Sequence, residues 1–424
     1  MLRIATILLA LAALALAGWF GFQIYAGRSP AASIAAIAGK GDDGLPDTAD
    51  EWRGRIDYRT LDRQLVKLMQ RPEMAGLAVA IVEDGKLSFV RTYGVTDRST
   101  GAPVTPQTVF RWASVSKTAT GLLAAALSEE RALDLERPVA SWNTSLRLPN
   151  RAESRLTFAQ LLSHQTGLTK NAYDEKLEDG QSPDVLRASL SAAPLQCVPG
   201  TCHTYQNIAF DAASEILGET AGAPLEQAVS ERFFRPLGMA SAAYGMEGLT
   251  GAKDWAHPHH LTEVRAVKEA YWRVPAAAGI ESNIVDFAKW MQAAMGDRPD
   301  VLPLSVLQLA QGPRVATPRL YSGDLAKALS DAGYGLGWRS FIYGGHVLSG
   351  HSGAVAGYRA TMIFDPATRT GVVAMWNSNW GIPFRIPFAV FDSYHQQAGG
   401  NWMDLSEIPL PEPEPPTDTT TPTP

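Results

Sequence analysis

The chain has 424 residues, 46% of them hydrophobic and 19% charged, which is enough apolar material for one large domain or two lobes. Its formal net charge is −6. With no block of like charge and no Gly-rich phosphate loop, it gives no ground for a nucleic-acid partner.

After Met1-Leu2-Arg3, the stretch from Ile4 to Ala26 is almost entirely apolar and long enough to cross a bilayer as a helix. Ala15-Leu16-Ala17 before Gly18 has the small residues of a signal-peptide cleavage site. Trp19, Phe20, Phe22 and Tyr25 form an aromatic belt suited instead to a retained anchor. Both readings export the rest of the chain. Residues 1–26 are expected to tether a periplasmic or extracytoplasmic domain to the inner membrane. Residues 27–55 mix Gly, Pro, Ala and Asp without periodicity and read as a linker.

The folded part is expected over 56–405. "LDRQLVKLMQ" spaces its apolar residues as a helix does. "GLAVAIVEDGKLSFVRTYG" reads as two strands joined by a hairpin turn at Glu83-Asp84-Gly85. From Ser114 to about Ala270 the Ala/Leu-rich segments are mainly helical. Within them, "QCVPGTCHTY" holds the only two cysteines, Cys197 and Cys202, and in an exported protein such a pair favours a disulfide over a metal site. Short β-type runs return between "GYGLGW" and "TGVVAMWNS", and a last helix is expected at 383–397. Residues 406–424, rich in Pro, Thr and Glu, read as a disordered tail. This order predicts a mixed α/β (α+β) fold. An antiparallel sheet is assembled from both chain ends and flanked by helices, with an all-helical lobe beside it and a cleft between the two.

"FRWASVSKTATG" places Ser114 three residues before Lys117, at the start of a helix heading into an apolar run. Residues i and i+3 share a helix face, so the amine comes within reach of the hydroxyl. Burial would lower the lysine's pKa and make it a usable base. Ser-x-x-Lys alone is a weak pattern. "HTYQNIAF" adds Tyr205 and Asn207 on one loop, and "LSGHSGAVAGYRATMIF" adds His351-Ser352-Gly353 beside a strand.

These three motifs in this order resemble the serine β-lactamase and penicillin-binding-protein family, in particular the class C β-lactamase-like serine hydrolases. "LLSHQTGL", "RPLGMASAAY", "PAAAGIESNIVDFAKWM" and "GYGLGW" extend the resemblance over nearly all of 56–395. It implies Ser114 as the acylated nucleophile and Lys117 as its base or as the group that keeps Tyr205 partly ionised. Tyr205 would shuttle protons to the leaving group and help activate the deacylating water. Asn207 would bond Lys117 or a substrate amide, and the backbone N–H groups of Ser114 and Ala354 would form the oxyanion hole. Ser352 and Gly353 complete the substrate-binding triplet, and Asn171 is a further candidate for a substrate-binding amide. His164 is expected to be structural. No cofactor and no metal are implied, and the expected partner is a small-molecule or peptidoglycan-like acyl substrate acting on a monomer.

One departure stands out. Class C β-lactamases proper carry Lys where this chain has His351, so the cation that meets a substrate carboxylate would be an imidazolium here. The substrate class stays open among D-Ala-D-Ala-type peptides, β-lactams and small esters. Two alternatives remain. One is a membrane-tethered penicillin-binding sensor with little turnover. The other is an α/β-hydrolase esterase using Ser352 in Gly350-His351-Ser352-Gly353, with Asp365 or Asp392 and His395 downstream. "HPHH" at 257–260 offers imidazoles for a metal but lacks spaced carboxylate or Cys partners.

Overall fold

A computed structural model describes residues 54–317 and 321–405. The expected anchor at 1–26, most of the linker and the tail at 406–424 lie outside the described residues. Among the described residues no helix is long and apolar enough to cross a membrane.

The first helix among the described residues, Tyr58–Leu68, starts at Asp57, whose carboxylate accepts the Thr60 N–H at 3.0 Å and so caps a free donor. Strands Gly76–Glu83 and Lys86–Asp97 follow as a hairpin. Asp84 and Gly85 both have positive φ (50° and 82°), the backbone that a tight two-residue turn requires. These strands join those from the far end of the chain in one nine-stranded sheet. Its spatial order is Ala102–Pro103, Lys86–Asp97, Gly76–Glu83, Thr370–Trp376, Tyr358–Asp365, His346–Val355, Arg339–Tyr343, Leu329–Tyr334, Val315–Ala316. Every pairing is antiparallel, and Leu77 opposite Trp376 fixes the register where the two chain ends meet.

The central strands Gly76–Glu83 and Thr370–Trp376 are buried at every position, so both faces must be covered. Neighbouring residues of one strand show how. Phe364 lies with Gly371 and Met291, under the Ile284–Ala294 helix. Ile363 packs with Phe388 of the closing helix Ile386–His395 on the opposite face.

The middle of the chain is mainly helical, as expected, with Lys117–Glu129, Pro183–Ser189 and Ala212–Ala221 among its helices. It is not the all-helical lobe expected, since it also carries a short strand pair, His259–His260 with Glu263–Val264, and a three-stranded sheet of Phe110–Arg111, Ile280–Ser282 and Ala243–Tyr244. That small sheet is too short to show a period in sequence, and it braces the turn that bears Ser114. Arg187 ties this layer together by pairing with Asp211 at 2.6 Å and Glu215 at 2.9 Å.

Candidate active site

Ser114 lies in a short 3-10 turn, Ala113–Ser116, that runs directly into the Lys117–Glu129 helix. The small sheet pins the turn from one side. The Trp112 N–H donates to the Ile280 carbonyl at 2.9 Å, and the Trp112 indole donates to Ser282 Oγ at 2.8 Å. Ser116 Oγ accepts the Ile280 N–H at 3.0 Å. Held this way, Ala113 has φ of 51°, a left-handed conformation unusual for alanine, immediately before the serine.

The main sheet closes the other side. Residues 351–355 run past the end of the neighbouring strand, because Arg339 already pairs with Gly350. That open edge faces the serine turn. A Cβ on Gly353 would lie 2.1 Å from the Trp112 carbonyl and 2.9 Å from Ser114 N, so only glycine allows this approach. Ala354, next along the strand, is exposed and lines the same cleft.

Lys117 is fully buried. Its ammonium donates to Asn207 Oδ1 at 2.7 Å, to the Ala277 carbonyl at 3.0 Å and to Ser114 Oγ at 3.3 Å. Burial lowers its pKa to about 7, against the opposing pull of Asp174. The Ala277 carbonyl is itself positioned. Asp211 accepts the Ala276 N–H at 3.0 Å, and Thr120 donates to the Ala276 carbonyl at 2.8 Å. Asn207 then passes the contact on, its Nδ2 donating to Asp174 Oδ2 at 2.7 Å. With a donor on one side and an acceptor on the other, the Asn207 amide has one workable orientation. Burial raises Asp174 to about 6.

Tyr205 stands over the lysine, with Lys117 Nζ 4.7 Å from its ring centroid. Burial raises the phenol's pKa, against the pull of the Ser114 side chain and Arg339. A directed hydrogen-bond chain fixes the loop that carries Tyr205. The Gln206 N–H donates to His164 Nδ1 at 3.2 Å, which leaves Nε2 as that ring's protonated nitrogen. Nε2–H donates to the Tyr334 hydroxyl oxygen at 3.1 Å, and the Tyr334 O–H donates to His351 Nε2 at 2.8 Å. His351 Nδ1–H ends the chain on the Ser352 carbonyl at 2.7 Å. His164 is structural, as expected. The Cys197–Cys202 pair is bonded, and its loop packs on the same segment through Gly200 N–H to the Gln165 carbonyl at 2.7 Å.

This chain corrects the expectation of a charged imidazole. His351 is buried, each ring nitrogen is committed, and burial together with Arg339 and Lys117 holds its pKa well below the ordinary value. It lines the cleft as a neutral, fixed ring. The Ser352 esterase reading fails for related reasons. Ser352 sits in mid-strand rather than on a strand-to-helix turn, its hydroxyl bonds Thr361 Oγ1 at 3.0 Å, and His395 is grouped with His346 and Asp365 instead. The "HPHH" imidazoles disperse. His257 stacks on Trp255, His259 accepts the Arg98 N–H, and His260 meets Asn379.

The cleft has a volume of about 710 Å³. Ser114, Tyr205, Asn207, Asn171 and the 351–354 strand all line it, with Lys117 behind them. Asn171, at a φ of 55°, holds its backbone N–H on the Tyr205 carbonyl at 2.9 Å and leaves its side chain exposed. Sequence reasoning missed two lining residues of consequence, Asp174 and Arg339. Neither belongs to a motif. Arg339 lies with its guanidinium 5.6 Å from the Tyr205 ring centroid, and no carboxylate pairs with it among the described residues.

Comparison with known proteins agrees with this geometry. The beta-lactamase family model matches residues 61–387. A beta-lactamase of Escherichia coli K12 is 24% identical over 360 residues, covering 77% of this chain and 90% of its own. The unguisins hydrolase ungD of Aspergillus violaceofuscus is 26% identical over 354 residues, 75% of this chain. The match spans only 61% of that hydrolase's length. Further relatives are named D-aminopeptidase and esterase. The octameric penicillin-binding protein homologue from Pyrococcus abyssi superposes with a TM-score of 0.71 at 23% identity, over 81% of this chain and 78% of that one, a likeness of fold. With the model match covering most of the folded part, the chain belongs to the beta-lactamase family.

Proposed function

We propose that the chain hydrolyses amide or ester bonds of small acyl substrates through a covalent acyl-serine on Ser114. D-Ala-D-Ala-type peptides, β-lactams and small esters are the candidate classes, in keeping with relatives named beta-lactamase, D-aminopeptidase and esterase. The observation that carries the reading is a buried Lys117 with a pKa of about 7, 3.3 Å from Ser114 Oγ. Near neutral pH a large fraction of that amine is uncharged and able to take the serine proton. Tyr205, whose pKa burial raises, stays a neutral phenol there, which favours Lys117 as the base.

As Oγ bonds to the scissile carbonyl carbon, its proton passes to Lys117 and the carbonyl oxygen becomes an oxyanion. The backbone N–H groups of Ser114 and Ala354 receive that charge. Collapse breaks the bond to the leaving group, which takes the proton from Lys117 by way of the Tyr205 hydroxyl. Water then repeats the sequence on the acyl-serine, releasing the acid and returning the proton to Ser114. Arg339 takes the place first expected of His351 as partner for an anionic substrate group. No cofactor enters any step.

The apolar stretch at 4–26 and the bonded Cys197–Cys202 pair support an exported, membrane-tethered enzyme. The test is covalent labelling by a fluorophosphonate and a fluorescent penicillin, read by intact mass. Wild type and Ser352→Ala should label and turn over, and Ser114→Ala should do neither. Labelling that persists in Ser114→Ala sinks the proposal, and labelling without turnover on any ester or peptide replaces it with the sensor reading.

A further inference from the structure

Outside the cleft, three residues remote in sequence converge on one point. His346 opens its strand, Asp365 closes the neighbouring one, and His395 ends the last helix. One ligand atom from each lies within 4.8 Å of the other two. His346 Nδ1 is 3.4 Å and His395 Nε2 is 3.8 Å from Asp365 Oδ2. None of the three lines the catalytic cleft.

The polar bookkeeping at this point is incomplete. Asp365 is 1% exposed; its Oδ1 accepts the Ala367 N–H at 2.8 Å, but its Oδ2 has no hydrogen-bond partner. His395 Nε2, also buried, has none either. A carboxylate oxygen and an imidazole nitrogen left unpaired face to face cost free energy unless something satisfies both. The surrounding groups do not. Asp392 is taken by the Tyr343 hydroxyl and the Trp402 indole, and Arg55 lies over the Tyr394 ring.

We propose that His346, Asp365 and His395 bind a divalent transition-metal ion of the zinc type, clamping the end of the last helix to the sheet. Two imidazole nitrogens and one carboxylate oxygen suit such an ion, with water filling the remaining position. Bonds of about 2.0–2.1 Å in a tetrahedral shell put ligand atoms about 3.3–3.4 Å apart, close to the separations from Asp365. The imidazole rings now stack, with centroids 3.6 Å apart and planes 16° from parallel, so an ion between them lies out of both planes. Loading therefore has to turn both rings, of which His346, with a 36% exposed side chain, is less enclosed than His395 at 8%.

The test uses the full chain, free of any affinity tag and stripped of metal. Zn²⁺ is titrated by calorimetry, and Co²⁺ is read by its visible absorption, which reports a low-coordinate nitrogen and oxygen shell. The expected result is one ion per chain and a higher unfolding temperature on loading. Affinity should fall at least about tenfold in His346→Gln and in His395→Ala, since each loses a direct ligand. His346→Gln changes a half-exposed side chain, so it stays informative if the His395 or Asp365 variants fail to fold. The His257→Ala/His260→Ala double variant should bind as wild type does. Absence of stoichiometric binding overturns the proposal, as does binding that survives His346→Gln and His395→Ala or is lost in the His257/His260 variant.

Discussion

Replacing Asp174 by asparagine isolates the charge behind Lys117, the proposed base. Asn at 174 keeps an oxygen to accept from Asn207 Nδ2 and from the Tyr271 hydroxyl, now 2.7 and 3.3 Å from Asp174 Oδ2. What disappears is the negative charge that favours the Lys117 ammonium. Two hydrogen bonds of 2.7 Å on either side of the Asn207 amide set the distance between the two charges. At a separation of about 7 Å and an effective dielectric near 20, the attraction is about 2.4 kcal/mol, a little under two pK units. Asp174 titrates at about 6, so it is largely ionised where Lys117, at about 7, releases its proton, and most of that coupling is felt there. On the proposed mechanism only uncharged Lys117 accepts the serine proton, so kcat/KM should rise with pH through an acid limb near 7 in wild type. Removing the carboxylate makes the ammonium easier to deprotonate, so the limb should move down by about one to two units in Asp174→Asn. The assay is kcat/KM for a neutral p-nitrophenyl ester from pH 5 to 9, which keeps substrate ionisation out of the profile. Fluorophosphonate labelling counts the competent sites. A limb that stays put or moves up would refute the reasoning, because it would show that the rate does not follow the charge on Lys117.

Three further outcomes are expected. Arg339→Gln should lower kcat/KM for carboxylate-bearing peptides or β-lactams by about tenfold or more relative to a neutral ester, the scale of one charge-assisted contact; an unchanged ratio would remove Arg339 as the anion's partner. Gly353→Ala forces a Cβ to within 2.1 Å of the Trp112 carbonyl, so Ser114 acylation should collapse while far-ultraviolet circular dichroism stays native, and normal labelling would contradict the close approach. Cys197→Ser with Cys202→Ser opens a ring with a sequence separation of only 5, so it should cost about 2 kcal/mol in denaturant unfolding; a larger cost would mean that the loop does more than close.

What sequence made legible, and what it hid, follows from how each residue is placed. Ser114 and Lys117 are three residues apart on one turn, so local geometry alone brings them together. The hairpin was equally local, since Glu83-Asp84-Gly85 between two apolar runs is a tight-turn signal, and the positive φ of Asp84 and Gly85 agrees with it. The joining of the chain ends into one sheet followed from element order, because strands at both ends with helices between them have only each other to pair with. Asp174 and Arg339 carry no such signal. Each reaches the cleft through a tertiary path, one by way of Asn207 and the other from the strand beside His351, and neither path leaves a spacing to read.

His351 shows the limit most clearly. Its place in the triplet was legible, but its charge was not, because charge depends on which atoms its two nitrogens meet. Those partners, Tyr334 and the Ser352 carbonyl, orient a chain that begins at the Gln206 backbone, directly beside Tyr205. A protonated His351 would have to turn a donor toward the Tyr334 hydroxyl, which would then have no acceptor for its own proton except His164, whose Nε2 already points a hydrogen at it. The reversal would run back to His164 Nδ1 and break the bond that sets the Tyr205 loop. Keeping His351 neutral thus holds the Tyr205 loop in place, and on the proposed mechanism an anionic substrate group would meet Arg339, whose guanidinium lies by the Tyr205 and Tyr334 rings and has no carboxylate partner among the described residues.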